Sequence, residues 1–170
     1  NTDLVVRAPR HPQPGETIAG GDFAVVQGGK GANQAVAAAR LGAEVSMIGC
    51  VGGDAFGDAM VAGLAADSVR TERIRRVGGS SGVALITVAA DGQNSIVIVA
   101  GANGLLTSEW VEESESVIRE ADFLVMQLEV PLAPLETALE IARAHHVPVI
   151  LNPAPAAPLP DTMLRGVTYL

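Results

Sequence analysis

The segment from 28 to 39, GGKGANQAVAAA, places three glycines, a lysine and an asparagine before an alanine-rich run. Glycines permit a tight turn in which backbone N–H groups approach a ligand closely, and small residues let the following helix pack near a sheet. Lys30 adds a donor, and Asn33 can both donate and accept hydrogen bonds. The segment predicts either a binding site for a polyhydroxylated ligand at a helix start, or a helix start with an incidental lysine.

The same segment differs from nucleotide-binding loops. In a P-loop the lysine is followed by Ser or Thr, which holds Mg²⁺. Here Lys30 is followed by Gly31, and the spacing GxGxxG of dinucleotide-binding turns is also absent. We therefore do not assign phosphate binding to this turn.

The rest of the chain has the pattern of a parallel α/β protein. From residue 43 onward, short apolar runs alternate with amphipathic segments of helix length, which is typical of βαβ units with helices on both faces of a sheet. Asp54 and Thr107 are each well placed to cap a following helix. The predicted strands span 44–50, 123–128 and 147–151, and the predicted helices span 55–66, 108–120 and 133–145.

Two segments depart from this alternation. Residues 82–100 contain two β-rich runs around Asp91-Gly92, a turn pair favoured in hairpins. Residues 3–26 contain two further β-rich runs around a proline-rich turn. We predict that these segments form a small antiparallel lid on the parallel core.

Polar residues follow three of the predicted core strands. Asp54, Glu129 and Asn152 each come at or soon after a strand end, where open α/β sheets bind their ligands. Capping is the favoured interpretation for Asp54. Glu129 has no obvious local partner, so its carboxylate is the stronger candidate for a site residue.

Composition disfavours several classes of partner. With 11 basic and 19 acidic residues the net charge is −8, which disfavours nucleic acid and anionic membranes. Aromatic residues make up only 3% of the chain, too few for a base-stacking platform. The single cysteine, Cys50, fits a reducing cytoplasm. No apolar run is long enough to span a membrane. The three histidines are not spaced as metal ligands.

The motifs together resemble the ribokinase-like family of carbohydrate kinases. The glycine turn and the Pro-Gly-Glu ahead of it are specific to that family, and the matches run from one end of the chain to the other. Two strings, AGAN and NPAP, are typical of members that phosphorylate the 5-hydroxyl of ribose. The matching stretches are 1–3, 14–17, 28–35, 49–57, 81–84, 100–103, 127–129 and 151–155.

The resemblance implies a fold, a reaction and a set of contacts. It implies an ATP-dependent sugar kinase that uses Mg²⁺ and K⁺, acts on ribose and forms a homodimer through the lid. The alternatives left open are another sugar or nucleoside kinase of the family, and a non-catalytic sugar-binding module. The residues implied to bind the sugar are Asn1, Asp3, Gly29, Lys30, Asn33 and Glu129.

The resemblance covers only the amino-terminal part of the family's kinase domain, over residues 1–170. The family's first core strand is expected before Asn1. The catalytic base, the ATP-binding loops and most of the ion sites are expected beyond Leu170. We therefore expect no catalytic residue and no metal site within these residues, and no kinase activity from them alone.

Overall fold

The computed structural model describes all residues from Asn1 to Leu170. It contains eight strands, six α-helices and one 3₁₀ helix, Gly101–Leu105. The strands are β1 (Thr2–Ala8), β2 (Phe23–Gln27), β3 (Val45–Gly52), β4 (Val69–Val77), β5 (Val83–Ala89), β6 (Asn94–Val99), β7 (Leu124–Gln127) and β8 (Val149–Asn152). The helices are α1 (Lys30–Arg40), α2 (Ala55–Ala66), α3 (Ser108–Glu112), α4 (Glu115–Arg119), α5 (Leu132–Ala144) and α6 (Asp161–Gly166).

The two predicted lid segments join in one four-stranded sheet, which we call the lid, in the order β2-β1-β5-β6. The outer pairs, β1 with β2 and β5 with β6, are antiparallel as predicted, and the second hairpin turns at Asp91-Gly92. The central pair, β1 with β5, is parallel, because both strands leave the core side by side in the same direction, starting at Thr2 and Val83. The lid is therefore a mixed sheet.

The core strands are parallel, as the alternating pattern predicts. β3 pairs with β4 and β7 pairs with β8. Helix α1 packs against both β3 and β7 and so bridges the two pairs. The larger apolar cluster surrounds β7, β8 and α5, and a smaller one lies between α1, α2, β3 and β4. No helix combines the length and apolar character needed to cross a bilayer.

The sequence analysis did not predict strand β4. Its sequence, VRTERIRRV, carries four arginines and one glutamate in nine residues, which are not typical of a buried strand. The arginines lie at the surface, where Arg70 pairs with Glu44 and Arg76 with Asp58. The strand is held by its parallel pairing with β3 rather than by its own propensity.

The predicted helix over 108–120 is interrupted and forms α3 and α4 instead. Thr107 caps the first of them as predicted, accepting a hydrogen bond from the Trp110 N–H. Ser114, which is fully buried, donates its hydroxyl to the Trp110 carbonyl over 2.8 Å. Such a bond to the carbonyl four residues earlier competes with the helical ladder and bends it, so the break falls at this serine.

Asp54 caps α2 as predicted and also joins the helix to the lid. Its Oδ1 accepts hydrogen bonds from the Gly57 N–H and the Ser81 hydroxyl, and its Oδ2 accepts from the Ser81 N–H. The Ser81 hydroxyl in turn accepts from the buried Gly52 N–H over 3.0 Å. Since Ser81 lies two residues before β5, this network joins the segment that enters that lid strand to the end of β3.

We expect Ser81→Ala to lower the free energy of unfolding by about 1–3 kcal/mol, because it leaves the buried Gly52 N–H without a partner. Chemical denaturation at neutral pH measures this loss, and Ser80→Ala is the matched control, since Ser80 is exposed.

The bonds from Ser81 and Gly57 hold the pKa of Asp54 below its ordinary 3.8. The Asp54 contribution is therefore present above pH 3.8 and lost as the pH falls through the lower folded value. Equal free energies of unfolding for Ser81→Ala and Ser80→Ala would contradict this account of the network.

Candidate functional site

The glycine turn before α1 lies directly against the start of β1. The Gly28 N–H donates to the Asn1 carbonyl over 2.8 Å. A Cβ on Gly28 would lie 2.3 Å from Oδ2 of Asp3, and one on Gly29 would lie 2.7 Å from the Asn1 nitrogen. Gly29 also has a φ of +92°, in the region that favours glycine. These two positions must therefore be glycine if Asn1 and Asp3 are to sit beside the turn.

Asp3 is an acidic group without a hydrogen-bond partner in the chain. Burial raises the pKa of its carboxyl group above 3.8, and the nearby Glu129 carboxylate raises it further, whereas the Asn1 amino group and Lys30 oppose the rise. No backbone or side-chain group of the chain donates a hydrogen bond to this carboxylate. Two carboxylate oxygens that face no donor can accept hydrogen bonds from a ligand, and adjacent hydroxyls are a suitable pair of donors.

Lys30 and Glu129 come from distant parts of the sequence and pair with each other. One Glu129 oxygen accepts the Lys30 backbone N–H over 2.7 Å, and the other lies 3.0 Å from the Lys30 Nζ. The Glu129 side chain is 16% exposed and that of Lys30 is 36% exposed. A carboxylate at a helix N-terminus satisfies a free N–H and interacts favourably with the helix dipole. Glu129 thereby ties the start of α1 to the loop after β7.

The backbone N–H of Asn33 donates to the Gly29 carbonyl over 2.9 Å, but the Asn33 side chain forms no hydrogen bond with this group. It is exposed on the first turns of α1 and lines a separate recess of about 600 Å³, together with Gln27 and Gly28. Gly28 borders this recess and also the group around Asp3, because it lies directly against the Asp3 carboxylate. The structure therefore brings Asn1, Asp3, Gly29, Lys30 and Glu129 together, whereas Asn33 lines the smaller recess.

A larger cavity of about 1090 Å³ opens beside the group. Asn1, Gly29 and Glu129 are among its lining residues, and it is also lined by residues of β3 and β7, which are not paired with each other. The lining is more apolar than polar, as in many small-molecule sites, and it also carries charged side chains such as those of Arg70 and Glu72. No group of three or more His, Cys, Asp and Glu side chains is arranged to hold a metal ion.

The structure adds two residues that the sequence analysis did not assign to the site. Asn103 donates from Nδ2 to Oδ1 of Asn1 over 2.6 Å, and the buried Ser81 fixes the neighbouring lid strand to the Asp54 cap. Both lie in motifs, SGVA and AGAN, that contribute to the family resemblance. These motifs were the only sequence signal that could have pointed to Ser81 and Asn103. Their spacing does not show which other residue each side chain contacts.

We expect Asp3→Asn to raise the melting temperature of the ligand-free protein at pH 7. Because the folded-state pKa of Asp3 is raised, the ionised carboxyl group costs folding free energy above pH 3.8, and a neutral amide of the same shape removes that cost. The gain should disappear once the pH falls below 3.8, where Asp3 is protonated in both states. Asp22→Asn serves as the control because Asp22 is exposed on the lid. A lower melting temperature for Asp3→Asn at pH 7 would contradict the account.

The chain matches the family described as pfkB family carbohydrate kinase over residues 1–170. A ribokinase of Schizosaccharomyces pombe is 47% identical over 177 aligned residues, covering 100% of this chain and 56% of the relative. A ribokinase of Haemophilus influenzae is 46% identical, again covering 100% of this chain and 56% of the relative. The chain thus spans about half the length of these curated relatives.

The three-dimensional fold indicates the same family. The structure of Arabidopsis thaliana ribokinase complexed with ribose and ATP superposes with a TM-score of 0.90 at 31% identity, covering 98% of this chain and 55% of that one. The predicted ribokinase-like α/β fold is confirmed. By family match, sequence identity and fold, the chain belongs to the pfkB family of carbohydrate kinases.

Proposed function

We propose that the whole protein transfers a phosphoryl group from ATP to the 5-hydroxyl of D-ribose, giving ribose 5-phosphate, and that this chain supplies the sugar-binding and lid part. The observation that carries the proposal is the Asp3 carboxylate, which is partly buried beside the glycine turn with no donor from the chain. The names of the relatives, ribokinases at 46–47% identity, support ribose as the sugar.

In the proposed complex Asp3 accepts hydrogen bonds from two adjacent ribose hydroxyls, since a carboxylate can accept both at once. The Asn1 amide and the Lys30 ammonium group lie within the same group of residues and can donate to hydroxyl oxygens. The Glu129 carboxylate already accepts from the backbone N–H and the Nζ of Lys30. In the proposed complex the same carboxylate would contact the sugar and orient the lysine. The proposed sugar-binding residues are Asn1, Asp3, Gly29, Lys30, Asn33 and Glu129.

The lid can cover such a sugar with apolar side chains. Asp3 lies in a cross-strand row with Val26, Ala84 and Ile98, so these residues share its face of the sheet. Covering the sugar would exclude water, which otherwise competes as the acceptor of the phosphoryl group.

We propose that the reaction uses ATP with Mg²⁺ and K⁺, as the family resemblance implies. ATP supplies the phosphoryl group, Mg²⁺ neutralises the charge that develops on it, and K⁺ acts as an activator. The proposed part of this chain's residues is to bind and orient the sugar. We also propose a cytoplasmic location, which the supply of ATP and the free thiol of Cys50 support.

We propose that the protein forms a homodimer through the outer face of the lid. Val25, Leu85 and Val97 lie in one cross-strand row, on the face opposite Asp3, and are 55%, 47% and 59% exposed. Contiguous apolar surface of this kind marks an interaction site. A second copy of the same sheet offers a matching apolar row, as a two-fold interface requires.

The dimer proposal predicts that Val97→Asp shifts the protein from dimer to monomer, because a carboxylate would be buried against an apolar row. Light scattering coupled to size-exclusion chromatography measures the mass directly. Leu41→Asp is the control, since Leu41 is 90% exposed at the end of α1 and outside the lid. A wild-type protein that is monomeric at micromolar concentration would contradict the proposal.

The test of the proposed function is ADP release by the whole protein with ribose, fructose and adenosine in parallel. We expect turnover to favour ribose. Asp3→Asn should raise the KM for ribose about 30- to 700-fold, which corresponds to about 2–4 kcal/mol for a charged hydrogen-bond pair. An unchanged KM would remove Asp3 from the site. Turnover favouring another substrate would redefine the specificity, and ribose binding without turnover would favour a sugar-binding module.

A further inference from the structure

The side chain of Asn103 holds that of Asn1 in one orientation. Asn103 is the third residue of the 3₁₀ helix after β6, and its Nδ2 donates to Oδ1 of Asn1 over 2.6 Å. The two residues are 102 positions apart in the sequence and both are partly buried. The side-chain oxygen Oδ1 of Asn1 is thus occupied, whereas the side-chain nitrogen Nδ2 of Asn1 donates to no group of the chain.

Gly82 leaves the space that this bond needs. A Cβ at Gly82 would lie 2.3 Å from Nδ2 of Asn103 and 2.4 Å from Oδ1 of Asn1. Gly82 is buried, and its carbonyl accepts the Thr2 N–H over 2.8 Å, which holds β5 beside β1. The bond between the two asparagines therefore sits where both ends of the β5–β6 hairpin meet the start of β1.

We propose that Asn103 is a positioning residue for the sugar: by donating to Oδ1 of Asn1, it leaves the Asn1 NH₂ group free to donate to a ribose hydroxyl oxygen. This inference rests on the proposed function. An asparagine amide has one acceptor oxygen and one NH₂ donor group, so engaging the oxygen decides which end faces the ligand.

The result is a site with two complementary sides. Asp3 offers only acceptors, and Asn1, oriented by Asn103, offers donors. A sugar hydroxyl carries one hydrogen to donate and an oxygen that can accept. A ring with adjacent hydroxyls can therefore satisfy both sides, whereas a ligand with acceptors alone leaves Asp3 unpaired. Asn103 contributes to this selectivity without touching the sugar.

The substitution Asn103→Asp tests the role because it keeps the shape and replaces the donor by an acceptor. The new carboxylate would repel Oδ1 of Asn1 and accept from its NH₂ group, so the Asn1 amide would turn over and face the sugar with its oxygen. We expect the Kd for ribose, measured by calorimetry on the whole protein, to rise about 10- to 100-fold. Asn94→Asp, an exposed change of the same charge on β6, is the matched control and should bind as the wild type does.

A double-mutant cycle separates positioning from a general effect on folding. If Asn103 acts through Asn1, the Asn103→Asp change should alter the Kd less than threefold in an Asn1→Ala background. An equal loss in both backgrounds would overturn the proposal.

A second readout needs no sugar. In NMR spectra of the ligand-free protein, the side-chain NH₂ protons of Asn103 should exchange slowly and those of Asn1 rapidly, and Asn103→Asp should slow the exchange at Asn1. Rapid exchange at Asn103 in the wild type would overturn the inference. Failure of the wild type to bind ribose would overturn the proposed function instead, and this NMR result would still report on the amide orientation.

Discussion

The absence of side chains at Gly28 and Gly29 is the constraint on which the site depends. Any Cβ at these positions would collide with Asp3 or Asn1, so the turn before α1 and the first residues of β1 can meet only through glycine. That contact partly shields the Asp3 carboxylate from water without giving it a hydrogen bond. The turn also brings the Lys30 N–H to Glu129, which connects the helix to the end of β7. An unpartnered acid is unfavourable in the free protein and becomes useful when hydroxyl donors arrive.

The lid is attached to this site at both ends of its second hairpin. Two residues before β5, the Ser81 hydroxyl and N–H bind the Asp54 carboxylate, so the strand is joined to the helix cap of α2. Beyond the end of β6, Asn103 binds Asn1. A movement of the hairpin would therefore disturb Asn1 directly. The same contacts that hold the lid in place also orient a group proposed to bind the sugar.

The sequence allowed the order of most elements to be predicted, because apolar periodicity and caps such as Asp54 and Thr107 are local signals. It did not predict β4, whose arginines hide the strand pattern, or the break at Ser114, which depends on a hydrogen bond to Trp110. The site residues came from motifs. Their partners could not be predicted, since contacts such as Asn103 with Asn1 join residues far apart in the chain. The placement of Asn33 in a separate recess also depends on the tertiary fold.

The central claim is that an ionised Asp3 binds the hydroxyls of the sugar. Its most direct test is the pH dependence of ribose affinity, measured by calorimetry of the whole protein between pH 4 and 8 in buffers of different ionisation enthalpy. Because burial raises the pKa of Asp3 in the free site and hydroxyl donors favour its charged form, binding should release protons in the acidic range. Affinity should rise with pH through that range, and Asp3→Asn should remove the dependence. Affinity that does not change with pH, or proton uptake on binding, would contradict the account.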